Sequence, residues 1–474
     1  MILEQIYTGC LAQGAYYIES NGEAAIVDPL REVQPYIDMA EKRGAVIKYI
    51  FETHFHADFV SGHADLAKKT GATIVYGPTK METGFTAHIG TDGEIFKIGD
   101  ITIKLLHTPG HTMESSCFLV HDEQGKPTAI FTGDTLFIGD VGRPDLAQHV
   151  IADLTQENLA AHLYASLQEK ILPLPDDLIV YPAHGAGSAC GKNLSKETSD
   201  TLGNQKKFNY ALRPGLTKEQ FISELLSGLT TPPSYFPKNV LMNIQGYDTI
   251  DTVLERGKKA LSPDAFELIA NETGALIIDT RKAADFASGF IPNSINIGHN
   301  GTFAVWVGTL VPDIKQEILI VAEKGREEEA ITRLARVGYD HAIGFLDGGF
   351  EAWKNAGKEI DTIKTISVSE FIEAKNADSK IAILDVRKKS EFDSEHIVEA
   401  ENMPLDYIND YFTAIDKQKT YYVHCAGGYR SMIFASILRA RGYNNLIDVD
   451  GGFNAIKASG KFNITDYVCP TTML

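Results

Sequence analysis

Histidines and carboxylates recur at the ends of predicted strands in the first half of the chain. The apolar run Val46–Phe51 predicts a buried strand, and it is followed directly by His54, His56 and Asp58. Three later apolar runs each end close to one further polar residue, namely His111, Asp134 and His184. Imidazole and carboxylate groups are ligands that divalent transition metals favour. Ligands taken from four strand ends require a fold in which these ends meet, so the pattern constrains the fold as well as the site.

This pattern resembles the metallo-β-lactamase superfamily, and the resemblance implies an αββα fold with a capping extension for residues 1–261. The dinuclear zinc hydrolases of that superfamily carry His-x-His-x-Asp-His, whereas Phe59 occupies the last position here. A phenyl ring has no lone pair to donate, so a second metal site would lose a ligand. Two imidazoles and one carboxylate suit mononuclear non-haem Fe(II). The resemblance to the persulfide dioxygenase branch therefore implies one Fe(II) per chain, with zinc as the alternative metal, on His54, His111 and Asp134.

The other residues of the pattern keep two interpretations each. Without a histidine at position 59, three residues either form a weak second metal site or orient the ligands and bind water: His56, Asp58 and His184. Cys190 lies in a glycine-rich stretch six residues after His184. It either relays sulfur between sites or is a small side chain in a turn.

Composition limits the classes of function. The chain of 474 residues has a formal net charge of −19, so we expect no nucleic-acid partner, which would need a basic face. Five scattered cysteines do not suggest a disulfide framework, and reduced thiols favour a cytoplasmic protein. The N-terminus has no signal-peptide pattern, and no apolar run reaches membrane-spanning length. We therefore expect no membrane association.

The second half of the chain contains an internal repeat. Leu276–Arg281 corresponds to Ile383–Arg387, and Asp347–Phe350 corresponds to Asp450–Phe453. Each copy alternates short apolar strands with helical stretches, which is typical of α/β domains with parallel sheets. Both copies resemble the rhodanese domain, a sulfurtransferase module. The resemblance implies two tandem rhodanese-like domains, over residues 262–360 and 366–474.

The second copy carries a cysteine, Cys425, directly after its predicted strand Tyr421–His424. Glycines let backbone N–H groups converge on the sulfur, the following helix adds a positive field, and Arg430 adds a charge. We therefore expect Cys425 to persist as a thiolate and to carry a persulfide, with Cys425 and Arg430 as the catalytic residues. Four residues separate these two, one fewer than in tyrosine-phosphatase loops, which favours sulfur transfer. The remaining loop residues that would supply backbone groups are Ala426, Gly427, Gly428, Tyr429 and Ser431.

The first copy has no cysteine at the equivalent place, where the sequence reads Ala322-Glu323-Lys324-Gly325-Arg326. Three glutamates then begin the next predicted helix and would oppose an anion there. We expect this copy to form no persulfide and to act as a spacer or docking domain.

The order of domains resembles bacterial fusion proteins of sulfide detoxification, which join a persulfide dioxygenase to a rhodanese. The resemblance implies that O2 oxidises the persulfide of a small thiol (glutathione, coenzyme A or similar) to sulfite and free thiol. It also implies that Cys425 exchanges sulfur with sulfite and thiosulfate, in a direction that the sequence leaves open, and that the protein is a homo-oligomer.

Two other hypotheses stand beside this one. A dinuclear zinc thioester hydrolase similar to glyoxalase II, with an appended sulfurtransferase, would need a metal-bridging hydroxide, and Phe59 argues against it. A persulfide sensor or sulfur-carrier scaffold with a vestigial metal site would consume no oxygen.

Overall fold

The computed structural model describes residues 1–146, 154–229 and 231–469. The chain divides into two compact units, Met1–Asp251 with Ala335–Gly338 and Thr252–Leu334 with Tyr339–Leu474. Residues 470–474, the end of the predicted third domain, lie outside the described residues, and the predicted domain boundaries stay predictions. Within the described ranges, none of the helices combines the length and the apolar character that crossing a membrane requires.

The first unit contains two six-stranded sheets, in which neighbouring strands follow the chain order. The first sheet consists of β1 (Ile2–Thr8), β2 (Gln13–Ser20), β3 (Glu23–Val27), β4 (Val46–Phe51), β5 (Thr73–Tyr76) and β6 (His88–Ile89). The second sheet consists of β7 (Ile95–Ile98), β8 (Ile101–His107), β9 (Ser116–His121), β10 (Pro127–Gly133), β11 (Ile179–Pro182) and β12 (Asp200–Thr201).

Apolar side chains from the two sheets meet in a shared core. Phe51 of β4 packs against Phe118 of β9 with ring centroids 4.7 Å apart, and Tyr16 of β2 packs against Phe131 of β10 at 4.9 Å. Every residue of β2 is buried, which requires cover on both faces of its sheet. The sheets therefore form a sandwich.

Helices cover the outer faces of this sandwich. The helices α1 (Gln34–Arg43) and α2 (His63–Thr70) contact β4 of the first sheet. The second sheet shares an apolar cluster with α3 (Gln156–Ser166), α4 (Leu202–Phe208) and α5 (Lys218–Leu226). The arrangement is αββα, and it is followed along the chain by α6 (Phe236–Gln245) and α7 (Ile250–Gly257).

Strand direction explains why the predicted ligands meet. The strands β8 and β10 are both antiparallel to β9, and β11 is parallel to β10. These three strands therefore end at the same edge of the second sheet, where the loops with His111, Asp134 and His184 begin.

The second unit contains two five-stranded sheets in which every pair of neighbouring strands is parallel. The first has the order β13-β17-β16-β14-β15, and its strands are β13 (Ala260–Leu261), β14 (Leu276–Asp279), β15 (Ile295–Asn296), β16 (Ile318–Val321) and β17 (Ala342–Leu346). The second has the order β18-β22-β21-β19-β20, and its strands are β18 (Lys364–Ile366), β19 (Ala382–Asp385), β20 (Ala400–Asn402), β21 (Tyr421–His424) and β22 (Leu446–Val449).

Helices alternate with these strands, as crossovers between parallel strands require. The first copy contains α8 (Pro263–Thr273), α9 (Ala283–Ser288), α10 (Phe303–Leu310), α11 (Glu327–Arg336) and α12 (Gly349–Asn355). The second copy contains α13 (Val368–Ala377), α14 (Lys389–Ser394), α15 (Ile408–Tyr411), α16 (Tyr429–Ala440) and α17 (Gly452–Ser459). The two copies thus share one strand order and one alternation of strands and helices.

Candidate metal centre and sulfur-binding loop

His54, His111 and Asp134 come together in the first unit. Asp134 Oδ2 lies 3.9 Å from Nε2 of His54 and 3.4 Å from Nε2 of His111. Each residue offers one ligand atom within 4.8 Å of the others, and each side chain is no more than 1% exposed. The structure therefore assembles the three residues that the sequence predicted as metal ligands.

Hydrogen bonds fix which ring nitrogen of each histidine carries the proton. His111 Nδ1 lies 2.7 Å from the carbonyl oxygen of Arg143, which only accepts, so Nδ1 donates and Nε2 keeps a lone pair. His54 Nδ1 lies 2.9 Å from Thr53 Oγ1, and the Thr53 hydroxyl itself donates to Asp28. His54 Nδ1 is thus also a donor. Such partners orient ligand histidines and leave Nε2 available to a metal.

Electrostatics favour the neutral form of His54, which metal binding requires. Burial lowers the pKa of His54 well below its usual value, and the neighbouring His56, His111 and His184 lower it further.

Several buried polar atoms of this region have no hydrogen-bond partner among the described residues. They are Nε2 of His54, both carboxylate oxygens of Asp134, Oδ1 of Asp58 and Nε2 of His184. Such atoms are rare in proteins, because burying a polar group without a partner costs free energy. A cation held by His54, His111 and Asp134 would satisfy the atoms of His54 and Asp134, and the imidazole and carboxylate chemistry of these three residues fits a transition-metal ion.

A second group of potential ligands lies beside the first. His56, Asp58 and His184 offer ligand atoms within 4.8 Å of one another. His184 Nε2 lies 3.4 Å from Asp58 Oδ2 and 3.6 Å from Oδ1 of Asp134, so Asp134 contacts both groups. The structure therefore also brings together the three residues for which the sequence left two interpretations open.

Phe59 and two carboxylates surround His56. The Phe59 ring is fully buried, and its centroid lies 4.3 Å from that of His56. His56 Nε2 lies 3.1 Å from Asp28 Oδ1 and 3.4 Å from Glu52 Oε2. Burial acts to lower the pKa of His56, but the two carboxylates outweigh it and raise this pKa well above its usual value.

Cys425 lies directly after β21 and is buried at the start of the loop that leads into α16. We call residues 425–431, which are this loop and the first residues of α16, the sulfur-binding loop. The backbone N–H of Gly428 donates to Cys425 Sγ at 3.1 Å. Gly428 has a φ of 98°, in the left-handed region that favours glycine, and this conformation turns its N–H towards the sulfur side of the loop. The carbonyl of Cys425 accepts from Phe453 N at 2.7 Å, so the beginning of α17 holds the loop.

Arg430 forms a bidentate ion pair with Glu391 of α14, with Nη1 and Nη2 at 2.5 and 2.8 Å from the carboxylate oxygens. Burial acts to lower the pKa of Arg430, but Glu391 outweighs it and raises this pKa above its usual value. Glu391 therefore partly neutralises the positive charge of Arg430 that the sequence predicted near Cys425. No motif had marked Glu391, which comes from a different helix.

Comparison with known proteins agrees with this architecture. The Metallo-beta-lactamase superfamily matches residues 8–184, and the Rhodanese-like domain matches residues 262–356 and 367–459. A relative from Schizosaccharomyces pombe, named probable hydroxyacylglutathione hydrolase glo2, is 32% identical over 219 residues, which are 41% of this chain and 80% of that protein. The chain belongs to the metallo-β-lactamase superfamily.

Solved structures extend the comparison beyond the metallo-β-lactamase domain. A metallo-β-lactamase from Staphylococcus aureus subsp. aureus COL is 32% identical with a TM-score of 0.64, covering 73% of this chain and 98% of that one. ETHE1 from Myxococcus xanthus is 26% identical with a TM-score of 0.43, covering 52% of this chain and 99% of that one. The predicted fold class is confirmed: a metallo-β-lactamase fold is followed by tandem rhodanese-like domains with parallel sheets.

Asn243, which no sequence motif indicated, holds the loop that carries His56 and Phe59 in the metallo-β-lactamase domain. From α6, its Nδ2 donates to the carbonyl oxygens of His56 and Phe59, both at 2.8 Å. Its Oδ1 accepts from Ser61 N at 2.9 Å. A single asparagine on a helix gives no sequence signal, so only the structure identifies it.

Asp28 and Glu52 were also missed. Asp28 Oδ1 accepts from Thr53 N at 2.8 Å, and its own φ of 48° is unusual for a residue other than glycine. Burial raises the pKa of Glu52 above its usual value. Asp28 directly follows β3, and this position at a strand end is the signal in the sequence that could have identified it.

Cys190 lies in the metallo-β-lactamase domain beside the ligands. Its Sγ lies within 4.8 Å of ligand atoms of Asp134 and His184, and the side chain is 1% exposed. Burial raises the pKa of the Cys190 thiol well above its usual value, and Asp58 and Asp134 raise it further. The sulfur-relay role of Cys190 stays a prediction.

Proposed function

We propose that the metallo-β-lactamase domain is an iron-dependent persulfide dioxygenase and that the second rhodanese-like copy transfers sulfur through Cys425. The observation that carries the proposal is Phe59, whose ring packs against His56 at the position where dinuclear zinc hydrolases of this superfamily carry a further metal ligand. His54, His111 and Asp134 remain as a complete set of two imidazoles and one carboxylate, the set associated with mononuclear Fe(II) and open coordination positions.

The proposed reaction takes the persulfide anion of a small thiol, O2 and one water to sulfite, the free thiol and a proton. Iron would supply Lewis acidity towards the outer sulfur of the persulfide and the redox chemistry that O2 requires. The Nδ1 hydrogen bonds of His54 and His111 hold the two rings in place, and Asp134 contributes the negative charge. The three side chains that would hold the iron are buried.

In the second step the Cys425 thiolate attacks the outer sulfur of a persulfide. The S–S bond of the substrate breaks, the small thiol leaves as a thiolate, and Cys425 becomes a persulfide. Sulfite then attacks the outer sulfur, which releases thiosulfate and a proton and restores the Cys425 thiolate. The Gly428 N–H, 3.1 Å from Sγ, stabilises negative charge on that sulfur. The reverse direction, from thiosulfate to sulfite, uses the same groups.

Metal content and oxygen uptake test the first activity. We would purify the protein without added metal, quantify iron and zinc, and measure O2 consumption with glutathione persulfide or coenzyme A persulfide. We expect about one iron per chain. Oxygen uptake should be abolished in His111→Ala and retained in Cys425→Ser. Roughly two zinc ions per chain without oxygen uptake would contradict the proposal.

A second candidate function is hydrolysis of a glutathione thioester. It is favoured by the name of the S. pombe relative and by the second ligand group at His56, Asp58 and His184. The test is hydrolysis of a hydroxyacyl thioester of glutathione by iron-loaded and zinc-loaded protein, with Phe59→His as the matched variant. We expect hydrolysis only in Phe59→His loaded with zinc. Efficient hydrolysis by the zinc-loaded natural sequence would make this function the better one.

The relatives' names also make glutathione the first thiol to test as the persulfide carrier. The cytoplasmic location and the homo-oligomer stay predictions.

A further inference from the structure

Tyr429 ties the sulfur-binding loop to the cysteine-free copy. It is the first residue of α16, four positions after Cys425, and it directly follows Gly428, the donor to Cys425 Sγ. Its hydroxyl donates to the carbonyl oxygen of Gly298 at 2.8 Å. Gly298 lies just after β15 of the first copy. A residue of the sulfur-binding loop is therefore hydrogen-bonded to the copy that has no cysteine.

The first copy has a specific seat for the Tyr429 ring. A Cβ on Gly301 would lie 2.3 Å from a ring carbon of Tyr429, and one on Gly298 would lie 3.4 Å away. Any side chain at position 301 would therefore displace the ring. The seat itself is braced, because His299 N donates to Thr280 O at 3.0 Å and Arg333 Nη1 donates to His299 O at 2.9 Å.

Two further contacts fix the same side of α16. Ser436 Oγ accepts from the backbone N of Asn296 in β15 at 2.9 Å. Arg439 forms a bidentate ion pair with Asp361, at 2.7 and 2.6 Å. Tyr429, Ser436 and Arg439 are spaced by seven and three residues, so they lie on one face of the helix. The N-terminal end of this face is the end that carries the sulfur-binding loop.

We propose that the cysteine-free copy positions the sulfur-binding loop, with Tyr429 as the positioning residue and Gly298–Gly301 as its seat. The inference deepens the proposed function, because it rests on sulfur transfer at Cys425. Since Tyr429 and Gly428 are adjacent, a ring fixed in the seat also fixes the direction of the Gly428 N–H towards Sγ. The first copy then contributes to sulfur transfer without touching the sulfur.

Tyr429→Phe tests the hydrogen bond in the full-length protein. We expect kcat for sulfur transfer from thiosulfate to cyanide to fall about fivefold, the effect of one lost hydrogen bond, with KM for thiosulfate nearly unchanged. The matched control is Tyr443→Phe, since Tyr443 Oη donates to Phe412 O at 3.0 Å in the same copy but outside the loop. The control should lower the unfolding temperature about as much as Tyr429→Phe does, but it should leave kcat unchanged. Equal kcat values in the two variants would overturn the proposal.

Gly301→Ala tests the seat from the other domain. We expect a fall in kcat of at least about tenfold, because the new Cβ displaces the ring. In a Tyr429→Ala background the same change should have almost no effect, because no ring remains to be displaced. Full additivity of the two substitutions would contradict the role of Tyr429.

Hydrogen exchange separates failure of this inference from failure of the proposed function. If the natural sequence transfers no sulfur, the proposed function fails, while the exchange rate of a peptide covering residues 425–430 still reports on the loop. Faster exchange of this peptide in Tyr429→Phe than in Tyr443→Phe supports the positioning of the loop by Tyr429. Identical exchange rates in the two variants refute it.

Discussion

The two rhodanese-like copies keep the same internal hydrogen bonds although only one carries a cysteine. In the first copy Arg281 Nη2 donates to Asp279 Oδ2 at 2.6 Å, and in the second Arg387 Nη2 donates to Asp385 Oδ2 at 2.5 Å. An asparagine in each copy donates to the carbonyl oxygen of that aspartate, at 3.0 Å in both cases. These bonds belong to the framework, since they are kept in the copy that has no cysteine.

The copies differ at the loop after the central strand. Ala322 stands in the place of Cys425, and a cavity of about 360 Å³ lined by Arg281, Ala322, Lys324 and other residues remains there. The Gly325 N–H donates to Glu327 Oε2 at 2.8 Å, whereas the corresponding Gly428 N–H donates to Cys425 Sγ. A carboxylate thus occupies the donor that the second copy offers to sulfur. The two copies therefore differ in the atom that accepts from this backbone donor, although their frameworks are alike.

The largest effect is expected from Cys425→Ser. It removes the only cysteine of either loop, so sulfur transfer should fall by at least about a thousandfold. The measurement is thiocyanate formed from thiosulfate and cyanide. Oxygen uptake with glutathione persulfide serves as the control and should be unchanged. Residual transfer near the original rate would place the reaction elsewhere in the chain.

Removing the framework arginines should cost the two copies a similar amount of stability. Arg281→Ala and Arg387→Ala each leave a buried aspartate without its partner, which costs about 3 kcal/mol. Urea unfolding of the two variants checks this. Only Arg387→Ala should also reduce sulfur transfer. A large difference between the two losses of stability would show that the frameworks are less alike than their distances indicate.

The strands of both copies and the residues at their ends could be predicted from the sequence, because apolar runs mark where each strand ends. Apolar runs located the strands, so the ends that carry His54, His111, Asp134 and Cys425 were predictable, and so was the missing cysteine of the first copy. Partners from distant elements were not predictable. Asn243, Glu391 and the seat of Tyr429 depend on tertiary packing, to which no local periodicity points.

The Arg430–Glu391 pair should make a modest, pH-dependent contribution to stability. Burial acts to raise the pKa of Glu391, but Arg430 outweighs it and holds this pKa below its ordinary value of 4.5. A carboxyl whose pKa is lower in the folded state stabilises the fold above the unfolded value and loses that contribution as the pH falls through the folded value. Arg430→Gln should therefore cost about 1 kcal/mol at pH 7 and much less near pH 3.

The first copy supplies a matched control for this pH dependence. Arg326 pairs with Glu329, and this pairing lowers the pKa of Glu329 as well. Arg326→Gln should show the same loss of stability between pH 7 and pH 3 in urea titrations, but no loss of sulfur transfer. An Arg430→Gln effect on stability that is constant with pH would exclude the ion pair as its cause.

The smallest effect is expected from placing a cysteine in the first copy, which is the simplest change that the comparison of the two loops suggests. In a Cys425→Ser background, Ala322→Cys restores a thiol after the central strand of the first copy, yet thiocyanate formation should stay below about 1% of the original rate. The Gly325 N–H is already bound to Glu327, and three glutamates begin α11, so a thiolate there would meet negative charge. Adding Glu327→Arg should raise the rate about tenfold, because it frees this donor and reverses the nearest charge. Substantial activity from Ala322→Cys alone would mean that the missing cysteine, and not the charge of the loop, silences the first copy.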